Sequence, residues 1–415
     1  MCYALRGLSR SAALVQRTPT PVDRDFAMHK TAIITGLGKR ILALWLFAAA
    51  TVVSAQSQDT APGTLRVYVG TYTSAASEGI YLFEFEPDSG ALAPKGLAAK
   101  TANPSFLALH PDRPCLYAVG ENGGETGGVR AFAIDPARGG LTLINTRPSR
   151  GGGPCHVAVA PGGGSVAVAN YGGGSVCVIP LASDGGLAAA SAFAQHTGHG
   201  PNAGRQEGPH AHGVTFDPSG KFLFVPDLGI DRVVAYRFDR ATGAIDLDDA
   251  AGGRAAPGAG PRHVVFHPGG TFAYAVNELD SSVAVFRYDV TRGAMETIQS
   301  ISTLPLATAG TGTTAEIAVH PSGRFLYASN RGHDSIASFA IERATGTLTA
   351  LGHTSTGGKT PRNFNLDPSG RFLLAANQES GNIVVFRIDP ESGIPQPAGI
   401  EAQIDDPVCI VFDHR

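Results

Sequence analysis

What most restricts the fold of this chain is a tetrapeptide that keeps returning. Asp/His-Pro-x-Gly occurs as DPSG at 217, HPGG at 267, HPSG at 320 and DPSG at 367. HPDR at 110 and APGG at 160 are imperfect copies, and DHR at 413–415 is a degenerate seventh. The steps between copies are 50, 57, 50, 53, 47 and 46 residues. From the second copy on, ten positions after each motif begins stands Asn170, Asp227, Asn277, Asn330 or Asn377. An alternating apolar run follows each of these: SVCVI, RVVAY, SVAVF, SIASF, NIVVF. Alternation of period two, cut by Pro-x-Gly turns, is the pattern of strands and hairpins. Gly 53 and Pro 28 in 415 residues supply the many tight turns such a chain needs.

A repeat near 50 residues that holds four short strands is one blade of a β-propeller. Within a unit, strand A (HVVFH) runs into the Pro-x-Gly turn, then strand B (TFAYAVN), strand C (SVAVFRYD) and strand D. Seven A strands predict an all-β, seven-bladed propeller with four-stranded blades. The seventh, Val408–Asp413, stands at the C-terminus without its B, C and D strands. LRVYVGTY and GIYLFEFEP near the N-terminus match a B and a C strand. The ring is therefore expected to close by N-terminal strands pairing with the C-terminal strand, which removes open sheet edges. The propeller occupies 65–415, after a lead-in at 56–64.

The first 55 residues read as an address. ILALWLFAAATVV at 41–53 follows Lys39 and Arg40 and precedes Ser54 and Ala55. A basic flank, a short apolar run and a small-residue site form a secretory signal peptide, with cleavage expected after Ala55. Thirteen apolar-run residues fall short of the roughly 20 that a membrane span needs. Met28 stands just upstream as a second possible start. The expected destination is the periplasm, or secretion, with no membrane association after cleavage. The full chain carries a net charge of -3, so no basic footprint points to nucleic acid. Cys115, Cys155, Cys177 and Cys409 remain after cleavage without metal-ligand spacing, and buried free thiols are expected of them.

In an A–B hairpin the start of A lies beside the end of B. Five residues before each motif, the blades carry Ser105, Cys155, His212, Arg262, Ala315, Arg362 and Val408. One residue later come Phe106, His156, Gly213, His263, Glu316, Asn363 and Cys409. Just after strand B stand Glu121, Tyr171, Leu228, Glu278, Arg331, Gln378 and, in the closing blade, Tyr72. All of these converge on one mouth of the central channel. Three arginines, Arg262, Arg331 and Arg362, match an anionic ligand, because guanidinium forks fit carboxylate or phosphate. A histidine there can act as general base on water. The longest insertion, QHTGHGPNAGRQEGPHAH at 195–212, is expected to fold over the mouth and deliver His210 or His212. His110, His267 and His320 stand at the opposite end, where they cap turns. Cys155 and His156 are strand neighbours and are not expected to form a dyad. GxSxG and P-loop motifs are absent from the sequence.

Several longer segments resemble the seven-bladed propeller lactonase family, which includes propeller-type 6-phosphogluconolactonases and carboxymuconate-lactonizing enzymes. They are YVGTYT (68–73), RQEGPHAH (205–212), DLGIDRV (227–233), GPRH (260–263), NELDSSV (277–283), SNRGHDS (329–335) and TPRNF (360–364). The resemblance implies that a His of PHAH, the Arg of GPRH, the Glu of NEL and the Arg of SNRG act together. Here these are His212 (with His210 second), Arg262, Glu278 and Arg331. It also implies that no metal or other cofactor is needed. His156, His210, His263, Arg362, Tyr72, Tyr171 and Gln378 are the expected substrate contacts. The expected reaction is hydrolysis of a sugar lactone, 6-phosphogluconolactone or a gluconolactone-like ring, to the aldonate. An exported enzyme would meet aldonolactones formed by periplasmic sugar oxidation. Lactonization of muconate-type acids and a binding propeller without turnover are the rival readings.

Overall fold

The computed structural model describes residues 63–413, apart from 74–75, 123–126, 306–307 and 309–311. The segment read as a signal peptide, its expected cleavage site and most of the lead-in lie outside the described residues. Seven antiparallel sheets form the described chain, and each follows the order A-B-C-D predicted from the repeat. Blade 4 shows the pattern: Pro261–Phe266, Phe272–Asn277, Ser282–Asp289 and Ala294–Ser302. Blade 3 has an extra short strand, Gly253–Arg254, paired with its C strand. From blade 4 through the closing blade to blade 2, successive A strands touch, which sets them around the central channel. The closing blade runs Pro407–Asp413, Leu65–Thr71, Gly79–Phe85 and Leu92–Lys100, so the two ends of the chain share one sheet. Among the described residues, no helix is long and apolar enough to cross a membrane.

The alternation in the repeat buries strands A to C and leaves strand D half exposed. Strand B of blade 4 is buried at all six positions, whereas its D strand alternates with exposed residues. Apolar clusters fill the spaces between blades. Phe272, Tyr274 and Val285 of blade 4, for example, pack with Leu326, Phe339 and Ile341 of blade 5.

Polar ties repeat around the ring with the same logic. The buried tyrosines Tyr68, Tyr117, Tyr274 and Tyr327 each donate to a glycine carbonyl in the C–D turn of the next blade, at 2.7 to 3.0 Å. Gly346 shows why that turn needs glycine: its φ is +73°, and a Cβ would strike the Phe272 ring of the preceding blade. His110, His267 and His320 do cap their turns, because Nδ1 accepts backbone N–H groups within each turn. That places the proton on Nε2, which donates to Gly163, Gly323 and Gly370 of the next blade. Cys115, Cys155, Cys177 and Cys409 are all buried free thiols.

Removing one inter-blade hydroxyl tests this packing. Tyr327→Phe leaves the Gly393 carbonyl without its donor. We expect a loss of about 1 kcal/mol, read as a lower urea midpoint with an unchanged slope.

Candidate active site

The A strands do not enter the channel as regular strands. In blade 4, Pro261 pairs with Asn277 and His263 with Val276, so Arg262 is skipped. Cys155 and Arg362 are skipped in the same way in blades 2 and 6, and Val408 in the closing blade. In blade 5 the irregularity spans Ala315 and Glu316. The sequence places the residue five before each motif opposite the end of strand B. The structure shifts that pairing by one, because a β-bulge occupies the position. A bulge relaxes strict alternation and re-aims the side chain. Consecutive residues such as Arg262 and His263, or Arg362 and Asn363, therefore both reach the channel.

The channel has two mouths and a narrow waist. At the mouth formed by the ends of the B strands is a cavity of about 290 Å³. Cys155, His212, Glu278, Arg331 and Arg362 line it, together with Glu121, Tyr171 and Arg205. Arg262 and His212 also line the waist just below. The opposite mouth holds a cavity of about 580 Å³ beside the Pro-x-Gly turns.

Glu278 is the hub. It is only 4% exposed, like Arg262, and His212 is 5% exposed. Arg205 Nη2 donates to Glu278 Oε1 at 2.6 Å. Arg331 Nη2 lies 3.0 Å, Arg262 Nε 3.2 Å and His212 Nε2 3.8 Å from Oε2. The Arg262 Nε–H is not directed at that oxygen, and both it and Arg331 Nε are buried donors without a hydrogen-bond partner. Burial alone pushes the Glu278 carboxyl up, but Arg331, Arg262 and Arg205 outweigh it and hold the pKa at about 2. Burial, followed by repulsion from Arg262, His263 and Arg362, holds His212 well below the ordinary histidine range, so its imidazole is neutral. Burial pulls Arg331 down to about 10, against the attraction of Glu278.

The other expected contacts fall into separate places. Arg362 lines the cavity, and its Nη2 donates to Tyr72 at 2.9 Å. The Tyr72 hydroxyl donates in turn to Glu121 Oε2 at 2.9 Å, and the Ser105 hydroxyl bonds the same oxygen. None of the described carboxylates lies within ion-pair distance of Arg362. Tyr171 lines the cavity with its ring stacked on His210, 4.5 Å between centroids. His210 stands behind that ring, where its Nδ1 meets the Tyr171 carbonyl at 3.0 Å. His156 and His263 lie lower, lining the opposite mouth, and their rings meet edge to face at 4.8 Å. Gln378 is not among the residues lining the cavity. Cys155 does not pair with His156; its Sγ lies 3.8 Å from His212 Nδ1 and 3.4 Å from the His212 carbonyl. Burial pushes that thiol far up its scale, which leaves it a thiol and not a nucleophile.

Sequence reasoning did not single out Arg205 or Glu121. Glu121 shares the register of Glu278, and that was its available signal. Arg205 sits in the inserted loop, outside any register. The loop is pinned by one substitution in the repeat. Where blades 2, 5 and 6 carry Asn170, Asn330 and Asn377, each donating to the end of a neighbouring D strand, blade 3 carries Asp227, which can only accept. It receives His210 N at 2.7 Å and Gly229 N at 3.0 Å, and its other oxygen lies 2.6 Å from His196 Nδ1. Buried Gln206 adds a second anchor by donating to Leu228 O and Asp231 Oδ1, both at 2.8 Å. Arg205 is thereby held against Glu278. Among the described residues, no three His, Cys, Asp or Glu side chains are grouped as a metal would require.

Glu278→Gln removes the one anion that three guanidiniums share. Losing one partner of a buried ion pair costs about 3–5 kcal/mol. The native carboxyl, held at about 2 against 4.5 for an unperturbed glutamate, stays ionised to lower pH than it does in the unfolded chain. Its stabilisation, roughly 3 kcal/mol, is complete above the unfolded value and is lost as pH falls from 4.5 towards 2. Denaturant midpoints measured between pH 7 and 3 should fall for the wild type and show a smaller fall for Glu278→Gln.

Comparison with known proteins identifies the family. Residues 66–412 match the family described as lactonase, 7-bladed β-propeller. The chain is 40% identical over 297 residues to a 6-phosphogluconolactonase of Bacillus subtilis, covering 72% of this chain and 83% of that one. Among solved structures, it is similar to a putative 6-phosphogluconolactonase from Bacteroides fragilis, with 36% identity and a TM-score of 0.80. That match covers 85% of this chain and 99% of the other. A periplasmic gluconolactonase of Pseudomonas aeruginosa has 33% identity and a TM-score of 0.79, covering 84% and 99%. With the blade order, the ring closure and nearly the whole propeller matched, this chain belongs to the seven-bladed β-propeller lactonase family.

Proposed function

We propose that the protein hydrolyses a hexonolactone to its aldonate by general-base attack of water. One observation carries this reading. The Glu278 carboxylate is held between three guanidiniums beside a neutral His212, on a cavity of about 290 Å³. Neutral His212 accepts a proton from water as the water oxygen attacks the lactone carbonyl carbon. The oxyanion that forms is stabilised by Arg262 and Arg331, whose charge is fixed before the reaction begins. Glu278 keeps those guanidiniums in place, and its negative charge favours the imidazolium as it develops. Collapse of the intermediate breaks the ring C–O bond, and His212 returns its proton to the leaving oxygen. The product acid then ionises and releases one proton. Arg362, with Tyr72 behind it, receives an anionic or hydroxyl group at the far side of the ring, and Tyr171 forms the wall. The scheme uses protein groups alone.

The Bacillus and Bacteroides relatives are named for the 6-phosphorylated lactone, and the Pseudomonas neighbour for gluconolactone in the periplasm. The signal-like segment at 41–55 favours the second setting, where sugar phosphates are scarce. We therefore assign an exported enzyme and an unphosphorylated aldonolactone. Fractionation and N-terminal sequencing should find the mature protein outside the cytosol, beginning at Gln56. A retained chain with an intact leader would remove this argument for the substrate.

Proton release by the purified protein should be followed by pH-stat on δ-gluconolactone, its 6-phosphate and γ-lactones, with spontaneous hydrolysis subtracted. Arg262→Ala should lower kcat/KM by on the order of a hundredfold or more with an unchanged circular dichroism spectrum. Unchanged turnover rejects the assignment. Because burial and Arg262 keep His212 neutral, kcat should stay level as pH falls through about 6.5. A decline centred there would show that an unperturbed histidine carries the step.

A further inference from the structure

Glu316 lies one layer below the cavity, at the channel waist, and is 8% exposed. Both of its oxygens are engaged. Oε1 lies 2.8 Å from His263 Nδ1 and accepts from Ile317 N at 3.0 Å, while Oε2 accepts from Asn363 Nδ2 at 2.6 Å. The Asn363 amide is not free to turn, because its Oδ1 accepts from Ile410 N at 2.9 Å. Every hydrogen-bond partner of the Glu316 carboxylate therefore presents a donor, which an acceptor-only group fits.

His263 is held from its other side by a cation. Arg262 Nη1 lies 3.2 Å from its Nε2 and 3.4 Å from its Nδ1. A guanidinium only donates, and a protonated imidazole there would oppose charge with charge. Burial and Arg262 indeed hold His263 below its ordinary range, although Glu316 pulls the other way. Arg262 requires a neutral ring, and Glu316 requires a proton on Nδ1. Nη1 is almost equally far from both ring nitrogens, so it stands over the ring face, and together the two groups specify a neutral ring with its proton on Nδ1. The same Nη1 donates to Ala315 O at 2.6 Å, and the guanidinium's Nε faces Glu278 Oε2 at 3.2 Å.

We propose that Glu316 is a positioning residue for the reaction: by holding the neutral His263 ring through its Nδ1–H it fixes where the Arg262 guanidinium, packed on that ring, stands against Glu278. The proposal rests on the reading of Arg262 as a group that stabilises the oxyanion. It gives His263, expected from the sequence to touch substrate, a supporting place beneath the site.

Two measurements on the purified full chain test it. Long-range 1H–15N correlation of the histidine rings in the wild type, with His263→Gln for assignment, should show His263 in the Nδ1–H form. An Nε2–H or protonated ring overturns the proposal whatever the activity. Glu316→Gln should then lower kcat by on the order of tenfold, with KM changed less than twofold and the Nδ1–H population reduced. Wild-type kcat in a folded Glu316→Gln overturns it. Should that variant fail to fold, the wild-type tautomer decides. Should the wild type show no lactonase activity, the reaction assigned above fails, and the ring measurement still tests the Glu316–His263–Arg262 coupling.

Discussion

Pairing of the two chain ends is the interaction on which the rest depends. Strand Pro407–Asp413 runs antiparallel to Leu65–Thr71, from Arg66↔Asp413 to Thr71↔Pro407. Without it, blades 6 and 1 would each face a half-built sheet with open edges. Closure also completes the channel chemically. Ile410 N, from the last strand, fixes the Asn363 amide that bonds Glu316. Cys409 Sγ accepts the Leu107 N–H of blade 1 at 3.3 Å. Tyr72, just past the first strand, holds Arg362. A residue near each end of the propeller thus acts on an arginine or its support.

The interior of this ring is chemically costly. Arg262, Glu278, Glu316 and His263 are all buried, in a channel that apolar residues would fill more cheaply. The arrangement is tolerable because Glu278 is shared by three guanidiniums and Glu316 is held by three hydrogen-bond partners. Even so, Arg262 Nε and Arg331 Nε lack hydrogen-bond partners. A protein selected only for stability has no use for such a cluster. Charges held in place before substrate arrives are what stabilisation of an oxyanion requires.

The bulges serve the same end. A regular A strand would send alternate side chains away from the channel and halve the chemistry available at each level. Skipping Arg262 and Arg362 in the ladder lets one strand supply two successive channel residues. The upper ones reach Glu278 and the cavity, and the lower ones, His263, Glu316 and Asn363, close the waist. Asp227, where the equivalent positions of blades 2, 4, 5 and 6 carry Asn, anchors the inserted loop that holds Arg205 against Glu278.

The repeat, its strand order and the closing blade were legible in the sequence because they depend on local alternation and on turns at a fixed period. So was the grouping of His212, Arg262, Glu278 and Arg331, since the repeat itself places equivalent positions at one mouth. Other features depended on contacts between segments far apart in the chain. The one-residue shift of register arises from bulges that no local pattern marks. Arg205 joined the site, His156 and His263 fell towards the opposite mouth, and Gln378 stayed outside the cavity lining. These outcomes follow from where a loop is pinned and which face a bulge presents. The sequence by itself determined seven blades and the circle on which the polar residues stand. Only the tertiary structure decided which of them meet, because depth along the channel is set by packing across blades and not by period.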